Sequence, residues 1–435
     1  MKTTLNQTGK IYIISIFFIS VFSAYAENPD FIRLSGSASE IGNIWGMVNA
    51  RAIKEDMDRY YLSKASEKGI TAEELIERSS KFISIVEKIA PHWLTEARAI
   101  ADKAGVNSKL YISFIANVYR NLFIHECTSY AVSYNYTDKN AVYFHKNRDN
   151  VEKAQAAFIY NPNIEGINKF IAVSDASALC CMMMVNDKGL AGSADYPGSN
   201  GPEEAPKNYR GIMNTFMLRY IAEKASNCNE ALQIIEDFTK KGYYAGGDVD
   251  ETHWLFVDKS GTILEVSNNF KNIISKRHNE KVYFSRLENS NAARKLNEIM
   301  TPVTFEDFHF VSRDPSICLN SSISGMTVEI HPKKPHLLTC AWISLPARSV
   351  SIPILMGGER TPRELIDGNV YKLAKNIDGN NDLWESIEES LHQHKELFIN
   401  KIKYKNHSES GENPFDLWNR KQSELIIKIL QKLQN

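Results

Sequence analysis

The stretch "HECTSYAVSYNYTDKNAVYFHKNRDN", residues 125–150, decides how the rest of the chain is read. It places Cys127 at the head of the alternating segment "TSYAVSYNY". The turn-like Thr137-Asp138-Lys139-Asn140 follows, then a second strand pattern, "AVYFHKN", that closes in Asn-Arg-Asp. Period-two alternation on both sides of a short turn predicts a hairpin, and its second strand would return Asp149 to the strand end near Cys127. A structural thiol or disulfide partner needs no such address, although both remain open for a single cysteine, and "NRDN" also reads as a turn capped by Asp149. The chemical alternative is narrow. A thiol acts through its thiolate, and at an ordinary pKa of about 8.5 it is mostly protonated at neutral pH. A cut just before Cys127 would free an α-amino group of pKa about 7.7 to 8.0, a base beside the sulfur that needs no second side chain. The cut would fall at Glu126-Cys127, the residues ahead of it would be a propeptide, and Asp149 would hold or polarise the amine.

Upstream of that point the pattern is helical from Phe31 to Arg120. "SASE" and "TAEE" have capping-box spacing, and Pro91 opens a helix through "HWLTEARAIADKAG" that Gly105 ends. The first 26 residues differ: Lys2 and Lys10 precede the apolar run "IYIISIFFISVF", and Ala24-Tyr25-Ala26 follows. This is the layout of a cleaved secretory signal, with a retained N-terminal anchor as the alternative. The run is short for a membrane span and no cysteine follows to accept a lipid, so an exported protein beginning near Glu27, secreted or periplasmic, with no stable membrane span is expected.

Downstream, strand candidates "FIAVS", "LCCMMMVN" and "KGLAGSADY" precede the helical block "NTFMLRYIAEKASNCNEALQIIEDFTKKG". Strands return at "THWLFVD", "TILEVS", "GMTVEI" and "HLLTCAWISL". Helices, strands, helices, strands and helices again favour segregated layers over an alternating parallel sheet, an α+β class. From about Thr361 the chain is polar and helical, ending in the amphipathic "FDLWNRKQSELIIKILQKL", whose Leu/Ile stripe is expected on the protein body. The division is therefore a signal over 1–26, a helical propeptide over 27–126, a catalytic core over 127–360 and a helical extension over 361–435.

Among 435 residues, 51 Lys plus Arg stand against 52 Asp plus Glu, a balance that does not steer the chain toward nucleic acid or an anionic surface. Six cysteines form neither a C-x-x-C pair nor a zinc set, and Cys180-Cys181 sit in an apolar run that suits buried free thiols. His125, His253 and His278 have no metal-site spacing. No cofactor and no metal is expected.

The Cys-Thr-Ser start, "KNRD" and "MMVNDKGLAGSADYPG" resemble N-terminal nucleophile hydrolases. "LSGSASEIGNIWG", with Gly36, Gly42 and Gly46, and "EARAIADKAGV" narrow the resemblance to the isopenicillin N acyltransferase-like autoproteolytic family, related to the choloylglycine hydrolases. The resemblance implies an αββα sandwich, self-cleavage before Cys127 into alpha and beta chains of one precursor, and attack by Cys127 on a linear amide through a thioester. It also implies that Asp149 sits beside the nucleophile and that Asn186 helps hold the oxyanion. Three departures stand out: Lys146 replaces the related enzymes' Arg, with Arg148 nearby; Arg286 replaces an Asn, with Asn289 the nearest substitute; and Glu126 replaces a frequent Gly. Lys146, Arg148, Arg286, Asn289 and Arg294 are thus possible supporting residues, against the plainer possibility of solvated charges at strand ends. The expected partner is a small amide substrate. Two rivals remain: a dipeptidase-like member of the superfamily, suggested by "TCAWISLPARSVSIPI", and a non-catalytic descendant that binds a ligand.

Overall fold

The computed structural model describes residues 30–116, 127–139, 141–195, 211–245, 252–269, 272–285, 287–377, 380–402 and 412–434. Its longer helices are α1 (Ala38–Asp56), α2 (Ser80–Ile89), α3 (Pro91–Ala104), α4 (Ser108–Ile115), α5 (Asn214–Lys224), α6 (Cys228–Lys240), α7 (Asn291–Glu298), α8 (Asn381–Ile402) and α9 (Pro414–Gln434). The strands are β1 (Phe31–Ile32), β2 (Leu34–Gly36), β3 (Thr128–Val132), β4 (Val142–Asp149), β5 (Gln155–Pro162), β6 (Phe170–Asp175), β7 (Met183–Asn186) and β8 (Leu190–Asp195). They continue with β9 (Thr252–Asp258), β10 (Ile263–Asn268), β11 (Ile273–His278), β12 (Val282–Phe284), β13 (Ser322–Ile330), β14 (Cys340–Ser344), β15 (Ser351–Leu355) and β16 (Thr361–Pro362).

Alternation along the strands explains the layers. In β5, Ala157 and Ile159 join the core shared with the second sheet, while Ala156, Phe158 and Tyr160 join the core under the N-terminal helices. An eight-stranded sheet, β11-β10-β9-β8-β7-β6-β5-β2, therefore faces a six-stranded one, β12-β3-β4-β13-β14-β15. α1 to α6 cover the outer face of the first, and α7 to α9 pack against the second. This is an αββα sandwich.

Ser37 opens α1 with the expected capping box, its hydroxyl accepting from Glu40 N–H while the Glu40 carboxylate accepts from Ser37 N–H at 2.8 Å. The chain before it is not helical, as the sequence suggests from Phe31 onward, but extended. β2 pairs in parallel with β5 and β1 pairs with β16, so these residues fill backbone hydrogen bonds that a sheet edge would otherwise leave open. α1 and α3 cross closely because a Cβ at Gly42 or Gly46 would collide with the carbonyls of Glu96 and Ile100. Trp45, between these glycines, meets Phe158 edge-on at 5.1 Å.

A buried ionic group ties this segment to the body. Arg219 on α5 holds Glu96 of α3 at 2.7 Å and Glu223 at 2.8 Å. Glu96 accepts from Tyr160 at 2.6 Å and Glu223 from Trp93 Nε1 at 2.9 Å. One guanidinium thus faces both carboxylates, and such pairing is the condition under which buried ions are tolerated. At the other end Ile426, Ile427 and Leu430 bury the stripe of α9, and the Asn419 amide bonds N–H and C=O of Leu355, closing the β15 edge. All six cysteines are free.

Candidate active site

The hairpin forms as the sequence suggests, with Thr128 opposite Asn147 and Ser129 opposite Lys146. Cys127 immediately precedes β3 and is 7% exposed. Ser129, Lys146 and Arg148 point between the sheets, while Tyr130, His145 and Asn147 point to the opposite face. The facing sheet answers with β8, where "LAGSAD" alternates so that Ser193 and Asp195 meet β3 and β4.

Lys146 Nζ lies 2.8 Å from Asp195 Oδ1 and donates to the carbonyls of Ala194 at 2.5 Å and Met182 at 3.2 Å. Ser285 donates to Asp195 Oδ2 at 3.1 Å, and the hydroxyls of Ser129 and Ser193 lie 2.8 Å apart. Lys146 is 1% and Asp195 0% exposed, so neither can be solvated and each is the other's counterion.

Asp149 ends β4 opposite Ser322, whose hydroxyl donates to Asp149 Oδ1. Burial pushes the Cys127 thiol up, with Asp195 and Asp149 adding to the effect and Lys146 and Arg148 opposing it. Burial therefore favours the protonated thiol. Arg148 is engaged elsewhere: it grips Asp175 at 2.6 and 3.3 Å and Gln155 at 2.9 Å. Burial alone would raise the Asp175 carboxyl, but Arg148 and Lys153 outweigh it and hold Asp175 below the usual carboxylate range.

The structure does not bring Asn186 to this cluster. It ends β7, three residues beyond the Met183↔Ser193 pair, roughly 10 Å along the strand. Its amide donates to the carbonyls of Ala222 and Ala225 at 3.1 and 2.7 Å, and its oxygen accepts from the N–H groups of Lys188 and Leu190. The side chain of Asn186 thus shapes the β7–β8 turn and anchors α5. Asn289 sits in an exposed turn, and Arg294 on the outside of α7 bonds Asn291. Arg286, Glu126 and His125 lie outside the described residues. His278 pairs with Glu265 at 3.0 Å and Glu280 at 3.2 Å. Among the described residues, Glu329, His392 and Glu396 bring ligand-type atoms within 4.8 Å of one another, but Lys395 and Lys139 fill that space with ammonium groups.

Asp195, Ser193, Ser129 and Ser285 are members of the site that the sequence does not single out. Only the two-residue spacing of Ser193 and Asp195 in "SAD" marks them, and that spacing does not say which face is theirs.

No family model matches the chain, and no curated protein matches its sequence. Solved structures do match. Penicillin V acylase from Agrobacterium tumefaciens aligns over 53% of this chain and 86% of its own, at 13% identity and a TM-score of 0.38. The Caenorhabditis elegans ortholog of N-acylethanolamine-hydrolyzing acid amidase aligns over 46% and 92%, at 11% identity and a TM-score of 0.35. A mutant of conjugated bile acid hydrolase from Clostridium perfringens aligns over 54% and 96%, at 10% identity and a TM-score of 0.35.

Proposed function

We propose that this chain is an exported, self-processing cysteine amidohydrolase that cleaves a linear N-acyl or small peptide-like amide. The observation that carries it is the placing of Cys127, a buried thiol at the start of β3 with the Lys146–Asp195 pair and Asp149 around it. The motif resemblance supports the same assignment.

In the uncut chain no α-amino group is free at Cys127, so a carboxylate, Asp149 or Asp195, takes the Sγ proton. The sulfur adds to the Glu126 carbonyl, and the C–N bond breaks with the proton delivered to the leaving nitrogen. Water hydrolyses the resulting thioester to the Glu126 carboxylate. The new α-amine then serves as base: it takes the thiol proton, the thiolate attacks the substrate carbonyl, and the proton passes to the departing amine. Water resolves the acyl-enzyme, or an accepting amine takes the acyl group. Acyl-CoA donors are scarce outside the cytoplasm, which favours hydrolysis. Lys146 keeps the charge of the Arg it replaces but not the planar fork, and its three contacts hold it as a fixed positive charge near the sulfur.

Incubation with a panel of N-acyl amino acids and dipeptides tests the activity, and the preferred group separates the acylase from the dipeptidase-like reading. Turnover that Cys127→Ala abolishes, with an acyl adduct of Cys127 trapped at low pH, is expected. Turnover that survives Cys127→Ala contradicts the assignment. Failure of a thiol-directed electrophile to modify Cys127 in the folded, incubated protein would indicate a ligand-binding descendant instead.

A further inference from the structure

The outer face of β4 carries a second set of polar side chains that the chemistry above does not use. Asn147 Nδ2 donates to the carbonyls of Ser312 at 2.7 Å and Ile317 at 3.1 Å, so its Oδ1 accepts from His145 Nε2 at 2.9 Å. Burial pushes His145 down to about 3, so the ring is neutral and Nδ1 is an acceptor. That nitrogen accepts a hydrogen bond from the Thr327 hydroxyl at 2.8 Å, and Thr327 in turn accepts from His309 Nδ1 at 2.7 Å. His309 Nε2 faces Glu388 Oε2 at 3.2 Å and the Ser351 hydroxyl at 3.1 Å. Glu388 also accepts from Arg313 and from Ser351 N–H at 2.6 Å. Two carbonyls at one end thus set the donor direction of each link as far as His309, whose neutral ring leaves Nε2 an acceptor for the Ser351 hydroxyl, and Glu388 on α8 joins through Ser351 N–H and Arg313.

The far end of this chain reaches the nucleophile's neighbour. The carbonyls held by Asn147 belong to the loop over residues 311–321, which leads into Ser322. Leu319 N–H donates to the Ser322 hydroxyl at 2.9 Å, and that hydroxyl donates to Asp149. Arg313, in the same loop, is pinned to Glu388 and to the Ser349 carbonyl at 3.0 Å.

We propose that Glu388 on α8 is a positioning residue for the Cys127 site, acting through Arg313 and the His309–Thr327–His145–Asn147 chain on the loop that presents Ser322 to Asp149. This rests on Cys127 being the nucleophile. Loss of the Glu388 charge leaves Arg313 buried without a counterion, releases the loop and lets water in beside the sulfur.

The test is the pH dependence of Cys127 alkylation by iodoacetamide in the folded full-length protein, followed by mass spectrometry of the peptide that still spans Glu126–Cys127, so that only uncut chains are compared. It needs no amidase activity. Glu388→Gln and the near-isosteric Thr327→Val are each expected to move the profile to lower pH, with alkylation near pH 7 roughly threefold faster or more. Both should slow self-cleavage roughly tenfold. Glu329→Gln breaks a second buried ion pair of α8, that of Lys395 with Glu329 on β13, and should lower thermal stability without moving the profile. An unmoved profile in folded Glu388→Gln overturns the proposal, as does an equal shift in Glu329→Gln, which would make α8 a general prop. Should Glu388→Gln not fold, Thr327→Val decides by the same criterion. A shifted profile in the variants beside a wild type that never cleaves itself would retain the positioning role and remove the N-terminal cysteine mechanism.

Discussion

At the scale of single residues, Cys127 and Asp149 are legible in the sequence because both belong to one hairpin, and hairpin register is a local property. Asp195 is not, because what gives it a role is the opposite sheet. Lys146 stands out in the sequence only as a departure, and the structure supplies its reason: a buried ammonium with a buried carboxylate 2.8 Å away. Removing one partner of such a pair strands the other, so Lys146→Met should cost about 3 to 5 kcal/mol in urea unfolding. The double variant Lys146→Met/Asp195→Leu should cost much less than the two single changes added together. Strict additivity would show that the pair is not coupled. Asn186 teaches the opposite lesson. Its "NDKG" setting reads equally as a turn, and the turn is what the structure makes of it.

At the scale of elements, the helix caps and the amphipathic stripe are readable because they are set by local hydrogen bonding and a 3.6-residue period. β1 and β2 are not, since two or three extended residues carry no periodic signal and gain their strand character from β16 and β5. The "GNIWG" pair of glycines acquires a physical purpose in the α1–α3 crossing. Gly46→Ala should destabilise by about 1 to 3 kcal/mol, measured as a lowered urea midpoint at unchanged slope; an unchanged midpoint would mean that the helices can part freely. Asp56, at the end of α1, accepts from Ser177 at 2.6 Å, and its carboxyl is pushed up to about 6, chiefly by burial. The unfolded chain titrates near 3.9, so between about pH 4 and 6 the folded state holds the extra proton. Stability from this group is therefore present below about pH 4 and lost as pH rises through about 6. Asp56→Asn keeps the acceptor for Ser177 and should flatten that slope, leaving the variant more stable than wild type by roughly 1 to 2 kcal/mol at pH 7.5. Equal pH dependence in both proteins would contradict it.

At the scale of the whole molecule, the segment before Cys127 is a structural partner of the core. β2 completes the eight-stranded sheet, and Glu96 and Trp93 hold the buried Arg219–Glu223 pair from the other side. The layer order is legible in the succession of helical and strand patterns, but this interlocking is not, because the pairing of β2 with β5 spans more than a hundred residues. If the chain is cut at Cys127, the two pieces should elute together in gel filtration and separate only in denaturant; a free N-terminal piece under native conditions would show that the packing does not survive cleavage. The most direct measurement is N-terminal sequencing with intact mass on the incubated full-length protein and on Cys127→Ala. The expected result is a chain beginning Cys-Thr-Ser-Tyr in the wild type and none in the variant. An undivided wild-type chain that still turns over amides would contradict the N-terminal cysteine mechanism.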